Sequence, residues 1–414
     1  MNQIRLGRLK ARLSFLRPPA IFLTKRWIAF KYLLASCLRS IELIRNFLNL
    51  PSSRMYTWEE WRKVAGNRAK ETPIDPEIHF EMSLPKCNQD QVHWFYHRNR
   101  SVTIQRRFVA ELVNGLVWGH QGGAYFTENR DLLWDFGREH WMYFSHWAPL
   151  TKLSFPKPER IPGTVAIIAN RDAYRNFSHW IIDVIPKFSL LERAGFSPEK
   201  IDTYFIGHAD LPFQRETFER AGIPLEKIRM FEETSFLQAD RLIVPFHSTY
   251  WNMALHTSAL SDLRKLFEVE IPRQSPTRRL FISREDAKFR RLVQESRLRE
   301  PLQKMGFEFV VLSGVGLADT ARLFSEAKIV VGPIGSGLMN IAFSHPGGKL
   351  IEIIGPGFFN CHHWYLSKVV GFEHYYYMGK GNPVAENVWL TDSMANINID
   401  PDDFVAFLKR ALEE

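Results

Sequence analysis

Four short segments carry residue types that could do chemistry. In Asn176-Phe-Ser-His179-Trp-Ile-Ile-Asp183-Val-Ile-Pro186, His179 and Asp183 stand four apart, so a helix puts them on one face, with Asn176 about a turn earlier. An imidazole oriented by a carboxylate serves as a general base near neutral pH, although the same spacing also suits a surface or capping pair. The run Ile329-Val-Val-Gly-Pro-Ile-Gly-Ser-Gly-Leu-Met-Asn340 is an apolar strand leading through Gly332, Gly335 and Gly337 into a helix. Glycines let the backbone approach an oxyanion, and the first N–H groups of the helix add positive potential, so Gly335, Ser336, Gly337 and Asn340 read as a phosphate seat or as a tight turn alone. The text departs from GxGxxG at Asn340 and lacks a Walker lysine, which counts against dinucleotide and ATP sites.

Arg284 follows the strand-like Arg279-Leu-Phe-Ile-Ser283, with Arg290 six residues on. In a parallel sheet Arg284 leaves on the same edge as the glycine turn, where a guanidinium fork suits a diphosphate without a metal. Glu352 is a single carboxylate inside Leu350-Ile-Glu-Ile-Ile354. Near the C-terminal end of a parallel strand it could accept both hydroxyls of a ribose; on an edge strand it would be a surface acid.

These segments need elements to position them. Strand-like text over residues 100–170 is broken at Asn114-Gly115 and Gly122-Gly123, the punctuation of hairpins. A strand over 163–169, a helix over 177–194, a strand over 201–207, a helix near 212–221 and a strand over 241–245 follow. After Pro272-Arg-Gln-Ser-Pro276 an unbroken strand–helix alternation runs from 279 to 354, the signature of a doubly wound parallel sheet. At about 150 residues per domain, 414 residues suggest two or three domains. The expected segments are a basic helical stretch over 1–72, an acceptor-side α/β domain over 73–270 and a C-terminal Rossmann-like domain over 271–414.

A hydrophobic fraction of 45% with 24% charged residues excludes a disordered or collagen-like chain. The net charge of +9 is local: residues 1–50 hold ten Lys/Arg against Glu42 alone, and the remaining residues balance. A neutral body argues against a nucleic-acid partner, and a basic apolar tail argues for a membrane surface or an acidic partner. Trp27, Phe30, Leu34, Leu38 and Ile41 form one apolar stripe on a helix with Arg39 opposite, fitting either a membrane interface or packing on the protein's own body. No spanning segment or cleaved signal is legible, so a cytoplasmic protein, at most peripheral at the inner membrane face, is expected. Cys37, Cys87 and Cys361 are scattered without CxxC spacing, and Cys361-His362-His363 lacks a second ligand group, so neither a disulfide framework nor a metal is expected.

Taken in order, residues 176–186, 281–295, 332–343 and 347–352 resemble the family 61 glycosyltransferases, which include bacterial capsular-polysaccharide proteins. The resemblance covers roughly residues 100–380. It implies a GT-B fold, with two Rossmann-like domains facing a cleft, and inverting, metal-independent transfer from a nucleotide-sugar donor to a glycan or lipid-linked acceptor, with no cofactor. In that setting Arg284, Arg290 and the glycine turn would hold the diphosphate and Glu352 the ribose. His179, with Asp183, would deprotonate the acceptor beside Asn176. Family members commonly carry histidine where this chain has Ile334, so either Ser336 and the backbone supply the donor contact or donor binding is altered. A non-catalytic sugar-nucleotide or glycan-binding component of an assembly complex is the alternative.

Overall fold

The computed structural model describes residues 17–119, 123–136, 148–168, 171–232, 235–247, 254–270, 274–381 and 390–414. Contacts divide the chain into two units that interleave in sequence. Residues 1–70, 110–167 and 231–243 form one; residues 71–109, 168–230 and 244–414 form the other. The expected segments were contiguous, whereas each unit draws on three stretches.

The second unit is built on a six-stranded sheet of β1 (Lys86–Cys87), β2 (Arg278–Ile282), β3 (Phe307–Val310), β4 (Ala327–Pro333), β5 (Lys349–Ile354) and β6 (Glu373–Met378). Their spatial order is β3-β2-β4-β5-β6-β1, and every neighbouring pair is parallel. Parallel neighbours need crossovers. Helices Glu295–Lys304, Leu317–Ser325 and His362–Val370 supply three, and the 3₁₀ segment Ser336–Phe343 joins β4 to β5. Strands covered on both faces read as unbroken apolar runs, and Leu280, Phe281, Val330, Val331, Leu350 and Ile351 are buried accordingly.

The chain steps from β2 outward to β3, then returns to the far side of β2 as β4. This reversal opens a crevice beyond the carboxyl ends of β2 and β4, the place where open α/β sheets bind ligands. Gly332 permits the close approach there: a Cβ at 332 would lie 2.8 Å from Ile282 O. The same unit holds a parallel pair, Thr203–Ile206 and Ile228–Met230.

The first unit is mixed rather than parallel. Residues of Phe236–Phe246 run antiparallel to Leu116–Trp118 and parallel to Glu159–Ile167. Leu116–Trp118 turns back onto Ala124–Phe126, the hairpin expected across Gly122-Gly123, although residue 122 lies outside the described residues. Asn114-Gly115 is not a hairpin. Asn114 N donates to Asp240 O at 3.0 Å and Ala239 N to Gly115 O at 3.1 Å, so both flanks follow one long strand across a kink. Asn114 takes φ of 52°, and a Cβ on Gly115 would lie 2.8 Å from Leu112 Cβ, which explains the residue choice. Thr57 and Glu60 form a capping box that starts helix Trp58–Ala65.

Gly332→Ala should destabilise the protein by about 1–3 kcal/mol, because the added methyl meets backbone that cannot turn aside. Urea unfolding followed by circular dichroism reads this as a lower midpoint; an unchanged midpoint would mean that β2 and β4 are less tightly apposed than described.

Candidate active site

The helix expected over 177–194 is interrupted. It runs as a single α-helical turn, Phe177–His179, a π-helical turn, Trp180–Val184, and then helix Ile185–Arg193. Trp180, Ile181, Ile182 and Val184 are all buried, so packing holds the wide turn in place. Asn176 caps the start, its Oδ1 accepting from Ser178 N at 3.0 Å. Asn176, read as acceptor-side, thus has one side-chain oxygen engaged by its own helix and is otherwise exposed.

His179 Nδ1 lies 2.7 Å from Asp183 Oδ2. The carboxylate is buried and the imidazole retains 18% of its side-chain exposure, so with Nδ1–H donating to Asp183, Nε2 is left for other partners. Burial pulls the His179 pKa down, but the hydrogen bond and charge of Asp183, helped by Asp172, outweigh it and raise the value above the usual imidazole range. Behind Asp183 lies a charged interior. Lys187, one turn on, is pushed down to about 8 by burial while Asp183 pulls the other way. His247 Nε2–H donates to Ile182 O at 2.5 Å, and burial together with the charge of Arg107 holds that ring neutral. Arg107 is itself anchored by Asp75, its Nε donating at 2.8 Å.

Arg284 leaves β2 and Gly335 leaves β4, on opposite sides of the crevice. A Cβ on residue 335 would run into the Arg284 guanidinium, so any larger residue there must displace that side chain. Arg284 Nη2 donates to Phe289 O at 3.0 Å; Arg290, at φ of 57°, sets its guanidinium 5.1 Å from the Phe358 ring centroid. Burial, then repulsion from Arg290, pulls Arg284 down to about 10. Among the described residues the Nε atoms of both arginines are buried without a hydrogen-bond partner. Two desolvated cations with free donors at a switch point suit an anion, and a diphosphate would satisfy both. Burial, and then the opposing charge of Glu352, act on Arg290, which brings that carboxylate into the same field.

Ser336 is half-buried at the start of the 3₁₀ segment, and Gly337 packs closely enough that a Cβ would lie 3.1 Å from Ile282 Cγ2. Asn340 is buried, with Nδ2 donating to Gly337 O at 2.9 Å, so it ties the turn together. Ile334 is buried in the core of its unit.

Glu352 lies in a central strand, in register with Gly332 and Tyr376, so the edge-strand reading does not hold. It is 1% exposed, with Oε1 2.6 Å from His363 Nδ1 and Oε2 3.5 Å from His374 Nε2. The expectation of an open carboxylate for a ribose meets a different geometry: both oxygens already face histidines. His362, set aside as a metal ligand for want of a second ligand group, lies near this site. It opens helix His362–Val370, and burial pulls its pKa down, with charge effects from His363, His179 and Asp183. The 3₁₀ segment packs against both the turn Phe177–His179 and this helix. The available signal was a pair of histidines following a strand that contains an acid.

His179, the glycine turn, both arginines and Glu352 thus lie in one unit, with Arg284 against Gly335 and Arg290 within the field of Glu352. Of these, Arg290 lines a cavity of about 220 Å³, together with Ile334, Gly355, Phe358, Asn396 and Asn398. Among the described residues no three His, Cys, Asp or Glu are grouped to hold a metal ion.

The Glycosyltransferase 61 family model matches residues 177–351, from the turn that carries His179 to the strand that carries Glu352. No curated protein matches the chain.

Gly335→Ala and Arg284→Ala should each weaken binding of a nucleoside diphosphate by roughly 10–100-fold, the loss of one charge-assisted pair. Calorimetry with UDP, GDP and CDP measures this; unchanged affinity in both variants would remove the arginine–glycine seat.

Proposed function

From a chain that carries a Glycosyltransferase 61 domain and is a glycosyltransferase, we propose an inverting, metal-independent enzyme. It transfers a sugar from a nucleotide-sugar donor to a glycan or lipid-linked acceptor in the cytoplasm, as a step in capsular or cell-surface polysaccharide assembly. The observation that carries this reading is the gathering, in one unit, of a carboxylate-bound imidazole and two desolvated guanidiniums at a sheet switch point.

His179 Nε2 takes the proton of the acceptor hydroxyl as its oxygen attacks the anomeric carbon. The bond from that carbon to the phosphate oxygen breaks on the opposite face, and the electron pair leaves on the nucleoside diphosphate. Arg284, Arg290 and the backbone at Gly335, Ser336 and Gly337 carry that charge. Asp183 keeps the proton on Nδ1 and stabilises the imidazolium that forms. One displacement inverts the anomeric centre and needs no protein nucleophile. Guanidiniums do the work a metal would otherwise do at the leaving group. Glu352, facing His363 and His374, acts as a fixed negative charge that keeps Arg290 in place, and the cavity beside Arg290 takes the nucleoside.

Nucleotide release from a panel of UDP-, GDP- and CMP-sugars with acceptor tests the activity. His179→Ala should abolish transfer and leave donor binding intact, and retained transfer would remove the assignment of the base. The base must be neutral to act, and its pKa is raised. Activity should therefore fall as pH drops through a value above the ordinary imidazole range. In Asp183→Asn burial prevails, so that acid limb should move to lower pH while kcat falls by about tenfold or more; an acid limb that stays in place would separate Asp183 from the titration.

A further inference from the structure

Trp27, Phe30 and Ile41 of the apolar stripe near the N-terminus, with Leu33 beside them, turn away from their own unit. Helix Arg17–Ser40 packs on the short helix Ala148–Thr151, with Leu38 of the stripe turned toward the body. Ala35 and Arg39 are buried there, and Arg39 Nη1 donates to Leu150 O at 3.1 Å. Tyr32 and Leu38 rest on the core of that unit. Left in the open are Trp27 at 56% exposure, Phe30 at 53% and Leu33 at 63%, followed on helix Glu42–Phe47 by Leu43 at 84% and Phe47 at 85%. Trp27 and Phe30 stack at 5.6 Å between centroids, with Lys31 Nζ 5.3 Å from the Trp27 ring. A chain that wanted this helix only as packing would have buried the aromatics and exposed the arginine. Here the arginine latches the helix in place and the aromatics face out.

We propose that this face docks on an anionic lipid surface. Charge selects the occupant: residues 1–50 carry all of the net +9, so a second copy would bring like charge against like, whereas an anionic bilayer attracts it. Aromatic rings flanked by lysine and arginine suit the headgroup boundary, and among the described residues no helix is long and apolar enough to cross a membrane. Because the back of the helix is latched by Arg39, the surface belongs to the folded unit and orients it, unlike a loose tether. This inference does not depend on glycosyl transfer.

Flotation of the full chain with phosphatidylcholine vesicles, with and without phosphatidylglycerol, tests it alongside sedimentation velocity. The chain should float with anionic vesicles, float poorly with neutral ones, and detach as salt rises. Trp27→Ser with Phe30→Ser, which alters only exposed side chains and no charge, should cut the bound fraction by roughly tenfold at unchanged circular dichroism. Three results would overturn the proposal: no flotation, equal flotation of the substituted chain, or a dimer that the two substitutions dissociate while vesicle binding is unaffected.

Discussion

Two guanidiniums partly out of water, with no ion-paired carboxylate among the described residues, repel each other. Arg284 and Arg290 are in that position, and much of the second unit serves to hold them there. The reversal of connection between β2 and β4 makes the crevice, and glycine at 335 makes room for one guanidinium. A left-handed backbone at residue 290 and the ring of Phe358 aim the other. Glu352 offsets part of the repulsion from a distance, fixed by His363 and His374 and not by the arginines themselves. What remains unsatisfied is a pair of buried N–H donors, which is the condition under which a bound diphosphate gains most.

The same logic governs His179. A half-buried imidazole would ordinarily be a weak base, because burial disfavours its charged form; Asp183 reverses the sign. Asp183 can do so because the π turn packs it into the interior. There Lys187 and a neutral His247 complete a polar layer braced by Arg107 and Asp75. The 3₁₀ segment that follows the glycine turn packs against both the turn that ends at His179 and the helix that begins at His362.

Much of this was legible in residue order. Apolar runs separated by helical spacing gave β2 to β5, and with a parallel sheet the emergence of Arg284 beside the glycine turn followed. What escaped was decided by partners distant in sequence. The histidines at 363 and 374 reach Glu352 only once β5, the following helix and β6 are assembled, so a carboxylate that looked open is occupied. The kink at Asn114-Gly115 mimics a hairpin because both demand the same residues, and only the long partner strand distinguishes them. The π turn leaves no mark in hydrophobic spacing. Arg39 reads as a solvent-facing charge until Leu150 supplies a carbonyl for it. The neutral balance of the body and the local origin of the +9 were fixed by composition alone.

On the proposed mechanism, the arginine–glycine seat and His179 border one ligand. The most direct measurement is an NMR pH titration of the His179 ring, in protein with labelled histidines and with the signal assigned through His179→Gln, with and without bound nucleoside diphosphate. If the two sites share the ligand, the diphosphate's negative charge raises the His179 pKa further above its already elevated value. An unchanged His179 titration while the diphosphate is demonstrably bound would show that the base and the anion seat serve different sites, and would contradict the account.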